Sequence, residues 1–550
     1  MIKNNQLRGA MVMAKIESIM SQGYYKNLRE YIATLEKNGK LVRVSQPINK
    51  DTELHPLVRL QFRGLDEEQR KAFMFENVID HNGNRYDIPV ILCAMAGSSQ
   101  IYALGMKCEP EEIPARWAYA RENPIKPVIV TDGPVHEVIL TRDELQTYGL
   151  SRLPVPISTP GFDNAPYTSS SHWISKDPET GLHNVGNYRG MIKSETRIGC
   201  FCGGRDQGLR IHVNQWKDRG EKVMPAAVVI GVPPSVSYTA VTRLPHDVCE
   251  YDIAGGLAGS ALELVKCKTI DLLVPAEAEI VIEGYIHLDE LEMEGPFGEF
   301  PGYMAKKDYS YFMEITCMTM RQKPIYQAFL SQLPPSESSK IRQLGWENAI
   351  LRRLLDAGLN NVLDVHTVES SGSWGVTLVK MKRQGEQDGM RALEILAADN
   401  FIGKVGIAVD EDVDIYDPHA IYWSLSFRMQ PHRDVKIVET SRMALDPSIV
   451  DPSLERGNLV GGDVRSTAIL IDATRDWPYP PIALPKKEFM DKALENWRQL
   501  GLPDLTLREP WYGYSLGYWT EEDEWEADLA VQGRYFETAE KQKREQRRPF

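Results

Sequence analysis

Apolar positions at Leu28, Tyr31, Ile32 and Leu35 recur with the 3.6-residue period of a helix, and Gly39 is placed to stop it. The pattern then changes to the alternation of a strand at 41–44, with short β-branched runs at 89–93 and 127–130. These elements predict an N-terminal α/β unit, residues 1–130. From 131 to 325 the chain is richest in β-branched runs and glycine. Strands are predicted at 135–140, 227–232, 270–274, 279–282 and 312–318, helical periodicity is scarce, and the turns carry Gly and Pro. Many strands joined this way predict a barrel or a sandwich. The helical period returns at 338–356, with Leu351, Leu354 and Leu355 on one face and Gly358 after its end. Strands follow at 362–368, 375–380 and 404–409, which makes 326–485 a second α/β part. The last part, 486–550, opens with a helix at 488–500. It then turns aromatic (Trp511, Tyr512, Tyr514, Tyr518, Trp519), acidic (521–528) and finally basic (541–548). An aromatic tail without a core of its own is expected to pack on a neighbouring subunit, with fraying as the alternative for its last ten residues.

Composition narrows the class. The chain has 550 residues, 42% hydrophobic and 25% charged, which suits a large folded core in several domains. No apolar run reaches the roughly 20 residues of a membrane helix. The net charge of −14 argues against non-specific nucleic-acid binding, which needs many phosphate-neutralising cations. Seven cysteines include one C-x-C pair, Cys200 and Cys202, and no C-x-x-C pair, so a zinc ribbon or thioredoxin-like site is not expected. Free thiols fit a reducing, cytoplasmic setting. Residues 1–22 lack the continuous apolar segment of a secretory signal and read as a disordered leader or an alternative start.

Four clusters carry candidate chemistry. Glu294-Gly-Pro-Phe-Gly-Glu299 is a tight Gly/Pro loop that fixes two carboxylates, an arrangement suited to proton transfer. Asn184-Val-Gly-Asn-Tyr-Arg189 offers an amide ligand, a glycine for close approach and a guanidinium fork for a carboxylate or phosphate. Glu263-Leu-Val-Lys-Cys267 supplies a carboxylate for a hard cation, and Lys404 stands at the start of a strand as a point charge for a phosphate. Each alone reads more readily as a solvated turn, strand edge or strand end than as a site.

In this order and spacing the four resemble the UbiD-like decarboxylases that use prenylated FMN. The resemblance runs from about Leu28 to Pro478. It also takes in Glu250-Tyr251, the 274–284 run, 294–303, Lys404 to Asp412, Met429-Gln-Pro431 and Asp472-Ala-Thr474. It implies a mixed α/β (α+β) fold in which 131–325 is a split β-barrel that binds the flavin and 486–550 serves oligomer contacts. Asn184 and Glu263 match ligands of a divalent ion on the cofactor phosphate, with Mn2+ first and Mg2+ or Fe2+ as alternatives, and K+ is an additional expected ion. Lys404 matches a lysine on the same phosphate, and Tyr188, Arg189, Gly190 and Met191 match cofactor contacts. Arg189, Glu294 and Glu299 match the family's Glu-Arg-Glu network beside the reactive ring. The family's metal-binding histidine has no clear counterpart here: counting back from Trp216 puts Asp206 or Arg205 at that place, with His212 as the fallback.

The implied activity is reversible decarboxylation of an aromatic or α,β-unsaturated acid. It proceeds through a covalent cofactor–substrate adduct, CO2 loss and protonation by Glu299, with Arg189 binding the substrate carboxylate. A flavin prenyltransferase would supply the cofactor, and the chain would form a homo-oligomer, a dimer or a hexamer. Three alternatives stay open at the level of sequence: a carboxylase or carboxylase-complex subunit acting on an aromatic substrate or aryl-CoA thioester, a non-catalytic flavin-binding assembly subunit, and a flavin-free metal hydrolase using Glu263. Phe297, Phe300, Tyr303, Leu330 and Trp423 are candidates for the substrate pocket, though each reads more readily as core.

Overall fold

The computed structural model describes residues 23–202, 207–440, 445–449, 466–513 and 518–545, together with Ile16 and Arg547. The leader at 1–22 (Ile16 apart), Gly203, Gly204, Arg205, Asp206 and Tyr514 therefore lie outside the described residues.

The chain forms two compact units. The first comprises Met1–Arg352, Thr367–Val376 and Ser441–Ser466. It opens with α1 (Leu28–Lys37), whose Leu28, Tyr31, Ile32 and Leu35 are buried and whose start is capped by the Asn27 side chain. A four-stranded sheet follows, in the order β1 (Leu41–Val44), β2 (Ala72–Phe75), β3 (Val90–Leu92) and a late strand at Tyr326–Gln327. Helices α2 (Ser99–Met106) and α3 (Ile113–Glu122) pack nearby, and α3 leads to the short β4 (Val128–Ile129).

The central part is a ten-stranded sheet. In chain order its strands are β5 (Val138–Thr141), β6 (Tyr167–Thr168), β7 (His172–Lys176), β8 (His183–Asn187), β9 (Gly190–Ser194) and β10 (Arg197–Cys200). After α4 (Gly208–Asp218) comes β11 (Val223–Ile230). After α5 (Glu250–Ala258), β12 (Glu263–Lys266) and β13 (Leu273–Pro275) come β14 (Ile280–His287), β15 (Glu292–Glu294), the small hairpin β16 (Phe297–Gly298) and β17 (Met304–Ala305), and the long β18 (Asp308–Met320). The spatial order is β8-β7-β11-β14-β18-β10-β9-β6, with β15 and β5 also on β18. The path is open, and no closed barrel forms among the described residues. β12 and β13 leave this sheet and pair with β4 in a three-stranded one.

Alternation explains the long apolar runs. Trp173, Val228 and Ile282 enter one buried cluster, while their neighbours Ile174, Val229 and Val281 enter another on the opposite side. Both faces of the sheet are thus covered, so its strands read as continuously apolar.

Three differences from the sequence reading have physical causes. Pro134 starts a single 3-10 turn at Pro134–His136, so the strand expected from Val135 begins at Val138. Helices α4 and α5 occupy a stretch where helical periodicity is scarce. In α5 nearly every residue from Tyr251 to Ala258 is buried, so no polar face marks it. The expected strand at 270–274 is confined to Leu273–Pro275.

The first unit continues into α6 (Glu337–Asp356), whose residues up to Arg352 belong to it. The second unit comprises Arg353–His366, Thr377–Thr440 and Thr467–Phe550. Its five-stranded sheet runs β19 (Val362–Thr367), β20 (Val376–Met381), β21 (Val405–Asp410), β23 (Ser466–Ala473) and β22 (Val435–Thr440), with α7 (Asp388–Ala398) against β21. The tail folds into α8 (Lys487–Gln499), α9 (Glu521–Val531) and α10 (Tyr535–Gln542). Among the described residues no helix is long and apolar enough to cross a membrane.

Candidate active site

Arg189 sits between β8 and β9 and is 7% exposed. Its Nε donates to Glu294 Oε1 at 2.9 Å and its Nη2 to Glu294 Oε2 at 2.7 Å, a bidentate pair, while Nη1 donates to Glu299. The three side chains expected to act together are in contact. The guanidinium also lies over the Phe201 ring at 4.0 Å and 5.3 Å from the Phe297 ring. The two acids raise its affinity for the proton against the opposing effect of burial, so it is a permanent cation.

The loop that carries the two glutamates is pinned from several sides. Glu294 ends β15, opposite Asp308 of β18. Gly295 follows at φ +93°, a conformation that suits glycine, and its N–H donates to the Tyr167 hydroxyl at 3.0 Å. The N–H of Gly298 donates to Asp163 Oδ1 at 3.1 Å, and Asp163 Oδ2 accepts from the Thr159 N–H at 2.7 Å. Burial pushes the Asp163 carboxyl up to about 6. Glu299 donates its N–H to the Tyr303 carbonyl at 3.1 Å and is itself mostly covered. Tyr167 and Asp163 escaped the sequence reading because their partners are backbone groups over a hundred residues away.

The second cluster surrounds Asn184. On β8 it faces Ser175 of β7, whose hydroxyl bonds His212 Nδ1 at 2.8 Å. Burial lowers His212 to about 4, so its ring is neutral near pH 7. The start of α4 presses on this corner: a side chain at Gly208 would collide with Asn184, and the Leu209 N–H donates to the Tyr188 hydroxyl at 3.3 Å. Tyr188 is held at its other end, its carbonyl accepting from Ser171 Oγ (2.6 Å) and Trp173 Nε1 (2.9 Å). Gly190 and Met191 pair with Thr168 and Tyr167, and a Cβ at Gly190 would meet Ile198 and Thr168.

Next to Asn184, the Val185 N–H donates to Glu250 Oε2 at 2.9 Å. Glu250 opens α5, and burial pushes its carboxyl up to about 7. No basic side chain pairs with it among the described residues. Glu263, by contrast, starts β12 with a side chain 43% exposed and ion-paired to Lys26 at 3.3 Å. No contact joins Glu263 to Asn184 among the described residues, and Asp206 lies outside them. Lys404 belongs to the second unit, where its carbonyl accepts from the Ile469 N–H at 2.8 Å.

This corner suits a cation and a polar ligand. Among the described residues Asn184 Nδ2 is buried without a partner, and a half-turn of the amide presents its oxygen there instead. An amide oxygen and a carboxylate are hard donors, the type a divalent ion takes. Further buried atoms without a partner among the described residues lie in neighbouring segments: Ser170 Oγ, His172 Nδ1, Asn187 Oδ1 and Ser235 Oγ. His172 is paired in register with Asn187 across β7 and β8. These atoms are hydrogen-bonding groups that a polar ligand bound here would satisfy.

Three domain models of 3-octaprenyl-4-hydroxybenzoate carboxy-lyase match in succession: the N-terminal domain at 32–120, the Rift-related domain at 126–334 and the C-terminal domain at 344–472. An uncharacterized protein of Archaeoglobus fulgidus is 28% identical over 472 residues, 82% of this chain and 92% of that protein. Among solved structures, an evolved dimeric form of the UbiD-class enzyme HmfF from Pelotomaculum thermopropionicum, in complex with prFMN, is 28% identical with a TM-score of 0.70. The match covers 85% of this chain and 98% of that one. Vanillic acid decarboxylase of Sedimentibacter hydroxybenzoicus in its closed form is 26% identical with a TM-score of 0.73, covering 86% and 99%. With three consecutive domain matches and this fold, the chain belongs to the UbiD family of carboxy-lyases.

Proposed function

We propose that this chain decarboxylates an aromatic or α,β-unsaturated carboxylic acid with prenylated FMN as cofactor. The observation that carries the reading is the buried Arg189 bonded to Glu294 and Glu299. A buried cation between two acids is costly to assemble and gives a scaffold nothing. For a decarboxylase it fixes a carboxylate and a proton donor side by side.

When bound, the prenylated flavin supplies an acceptor for the electron pair left by departing CO2. The chain's own groups do the rest. Asn184 and Glu250 would hold a divalent ion for the cofactor phosphate, and Glu250 takes the place that the sequence reading gave to Glu263. The Tyr188 to Met191 segment would present backbone to the cofactor. Glu294 occupies two donors of Arg189 and so fixes the plane of the guanidinium, whose remaining N–H groups orient the substrate carboxylate. Glu299 takes up a proton and delivers it to the carbon that has lost CO2, returning to the carboxylate that pairs with Arg189. Phe201 and Phe297 keep water from the guanidinium, which strengthens each of these contacts.

The test is a decarboxylation screen of the full chain, co-expressed with a flavin prenyltransferase, against a panel of aromatic and cinnamate-like acids. Wild type should release CO2 from at least one member. Glu299→Gln should keep the flavin spectrum and lose about a hundredfold or more in kcat, the size of a general-acid contribution. Full turnover in that variant would remove Glu299 from the role.

A further inference from the structure

The C-x-C pair takes no part in the chemistry above, yet it borders the site. Cys200 ends β10 opposite Tyr311 of β18, and its carbonyl accepts from Ser310 Oγ at 2.7 Å. The thiols of Cys200 and Cys202 hydrogen-bond each other. Both are free and buried, Cys200 completely and Cys202 to 3% exposure. The two sulfurs are not equivalent. The hydrogen bond from Cys200, and after it the Arg210 cation, hold the Cys202 thiol below its ordinary range, while burial pushes Cys200 up. Cys202 is therefore the better nucleophile, and Cys200 the thiol that stays protonated beside it.

Phe201 stands between the two cysteines and meets Arg189 twice. Its N–H donates to the Arg189 carbonyl at 3.3 Å, and its ring lies 4.0 Å from the guanidinium. On the other side of Cys200, Gly199 packs towards Glu294: a Cβ there would stand 3.7 Å from Glu294 Cγ. The segment from Gly199 to Phe201 is thus wedged against two members of the Arg189–Glu294–Glu299 network. Bridging two residues this close in sequence closes a small ring. The residue whose backbone must turn to close it is Phe201.

We propose that Cys200 and Cys202 are an oxidative modification site, joined by hydrogen peroxide in a reversible disulfide that draws Phe201 off Arg189 and stops turnover. The clause on turnover rests on the proposed role of Arg189. In the first step the Cys202 sulfur attacks one peroxide oxygen. The O–O bond breaks, hydroxide leaves and takes the thiol proton as water, and Cys202 becomes a sulfenic acid. In the second step the Cys200 sulfur attacks the Cys202 sulfur. The S–O bond breaks, and a second water leaves with the Cys200 proton. Two thiols lose two electrons and two protons, and one peroxide becomes two waters. Dithiothreitol reverses the bridge by thiol–disulfide exchange and becomes its own cyclic disulfide. Burial favours a small oxidant over a bulky disulfide.

Cleavage after Arg197 and Arg205 leaves both cysteines in one tryptic peptide, 198–205. Full-length protein stripped of flavin is treated with peroxide, freed of it, alkylated and digested. The peptide should be two hydrogens lighter and carry no alkyl group, and dithiothreitol before alkylation should restore both groups. Amide exchange at Phe201 should quicken by about tenfold or more in the oxidised protein. Loaded with prenylated FMN only after the peroxide is gone, oxidised protein should turn over about tenfold or more slowly than reduced protein and recover in dithiothreitol. Cys200→Ala should stop at a sulfenic or sulfinic acid on Cys202, and Cys202→Ala should leave Cys200 a thiol. The wild-type measurements need neither variant, so a misfolded one does not rescue the idea. Two alkyl groups on the wild-type peptide, under conditions that oxidise half-buried Cys108, overturn the proposal. So does a bridge that leaves Phe201 exchange and turnover unchanged. Failure of the decarboxylase reading looks different: the bridge forms and Phe201 exchange quickens, but reduced, cofactor-loaded protein releases CO2 from no acid.

Discussion

At the scale of single residues, the metal corner separates two glutamates that look alike in sequence. Glu250 accepts the N–H of Val185, the neighbour of Asn184, and has no cation beside it among the described residues. Glu263 pairs with exposed Lys26. A surface pair of that kind is worth at most about 1 kcal/mol. Glu250→Gln and Asn184→Ala should therefore each lower metal and flavin content together, by about tenfold in retention after dialysis. Glu263→Gln should keep both. Metal analysis by mass spectrometry and the flavin absorbance spectrum read the result, and loss of both in Glu263→Gln alone would return the ligand role to that residue. The loop with an acid at each end was legible as a string, and it was the family resemblance, not spacing, that joined Arg189 to it. Glu250 was not singled out for metal, since the helix it opens has no polar face to mark it and its contact with Val185 spans 65 residues of chain. Asp163 and Tyr167 act through backbone groups, which leave no local signature.

At the scale of elements, α6 is tied to the N-terminal part by its first residue. Glu337 is fully buried and accepts N–H bonds from Cys93 (3.0 Å), Met95 (3.1 Å), Ala96 (3.4 Å) and Leu330 (3.3 Å). Cys93 stands at φ +57°, so the end of β3 turns sharply and points these donors at one carboxylate. Glu337→Ala would leave up to four buried N–H groups without an acceptor, and each such loss costs about 1–3 kcal/mol. With partial relaxation the first unit should lose about 3–5 kcal/mol, read from the urea midpoint of its transition, and Glu337→Gln should fall between the two. A midpoint unchanged within about 0.5 kcal/mol would show that the turn holds itself. The predicted helices α1, α6 and α8 lie within a residue of their expected bounds, whereas α4, with one exposed side, was missed. Where both faces are covered, as in α5, the period vanished and the helix went unseen.

At the scale of the whole molecule, the groups proposed to meet flavin and metal come from many strands and helices of one unit. Asn184, Tyr188, Arg189, Gly190, Met191, Glu250, Glu294 and Glu299 all belong to the first unit, and Lys404 belongs to the second. A ligand that binds only the folded state stabilises the parts that must be ordered to hold it. Hydrogen exchange on the full chain, loaded with flavin and divalent ion or stripped by chelation and dialysis, should therefore differ by region. Peptides over β8 and β9, over the start of α4 and over the start of α5 should slow by about tenfold or more on loading. The inner strands β11 and β14, covered on both faces, are already protected and should change little. The peptide over Lys404 and β21 reports separately, because slowing there tests the phosphate contact that the resemblance implies for that lysine. If loading slows only second-unit peptides and leaves 183–194 and 250–258 untouched, the flavin does not lie against Asn184, Tyr188 and Glu250. Arg189 would then be a buried ion pair of the fold, with no substrate to hold.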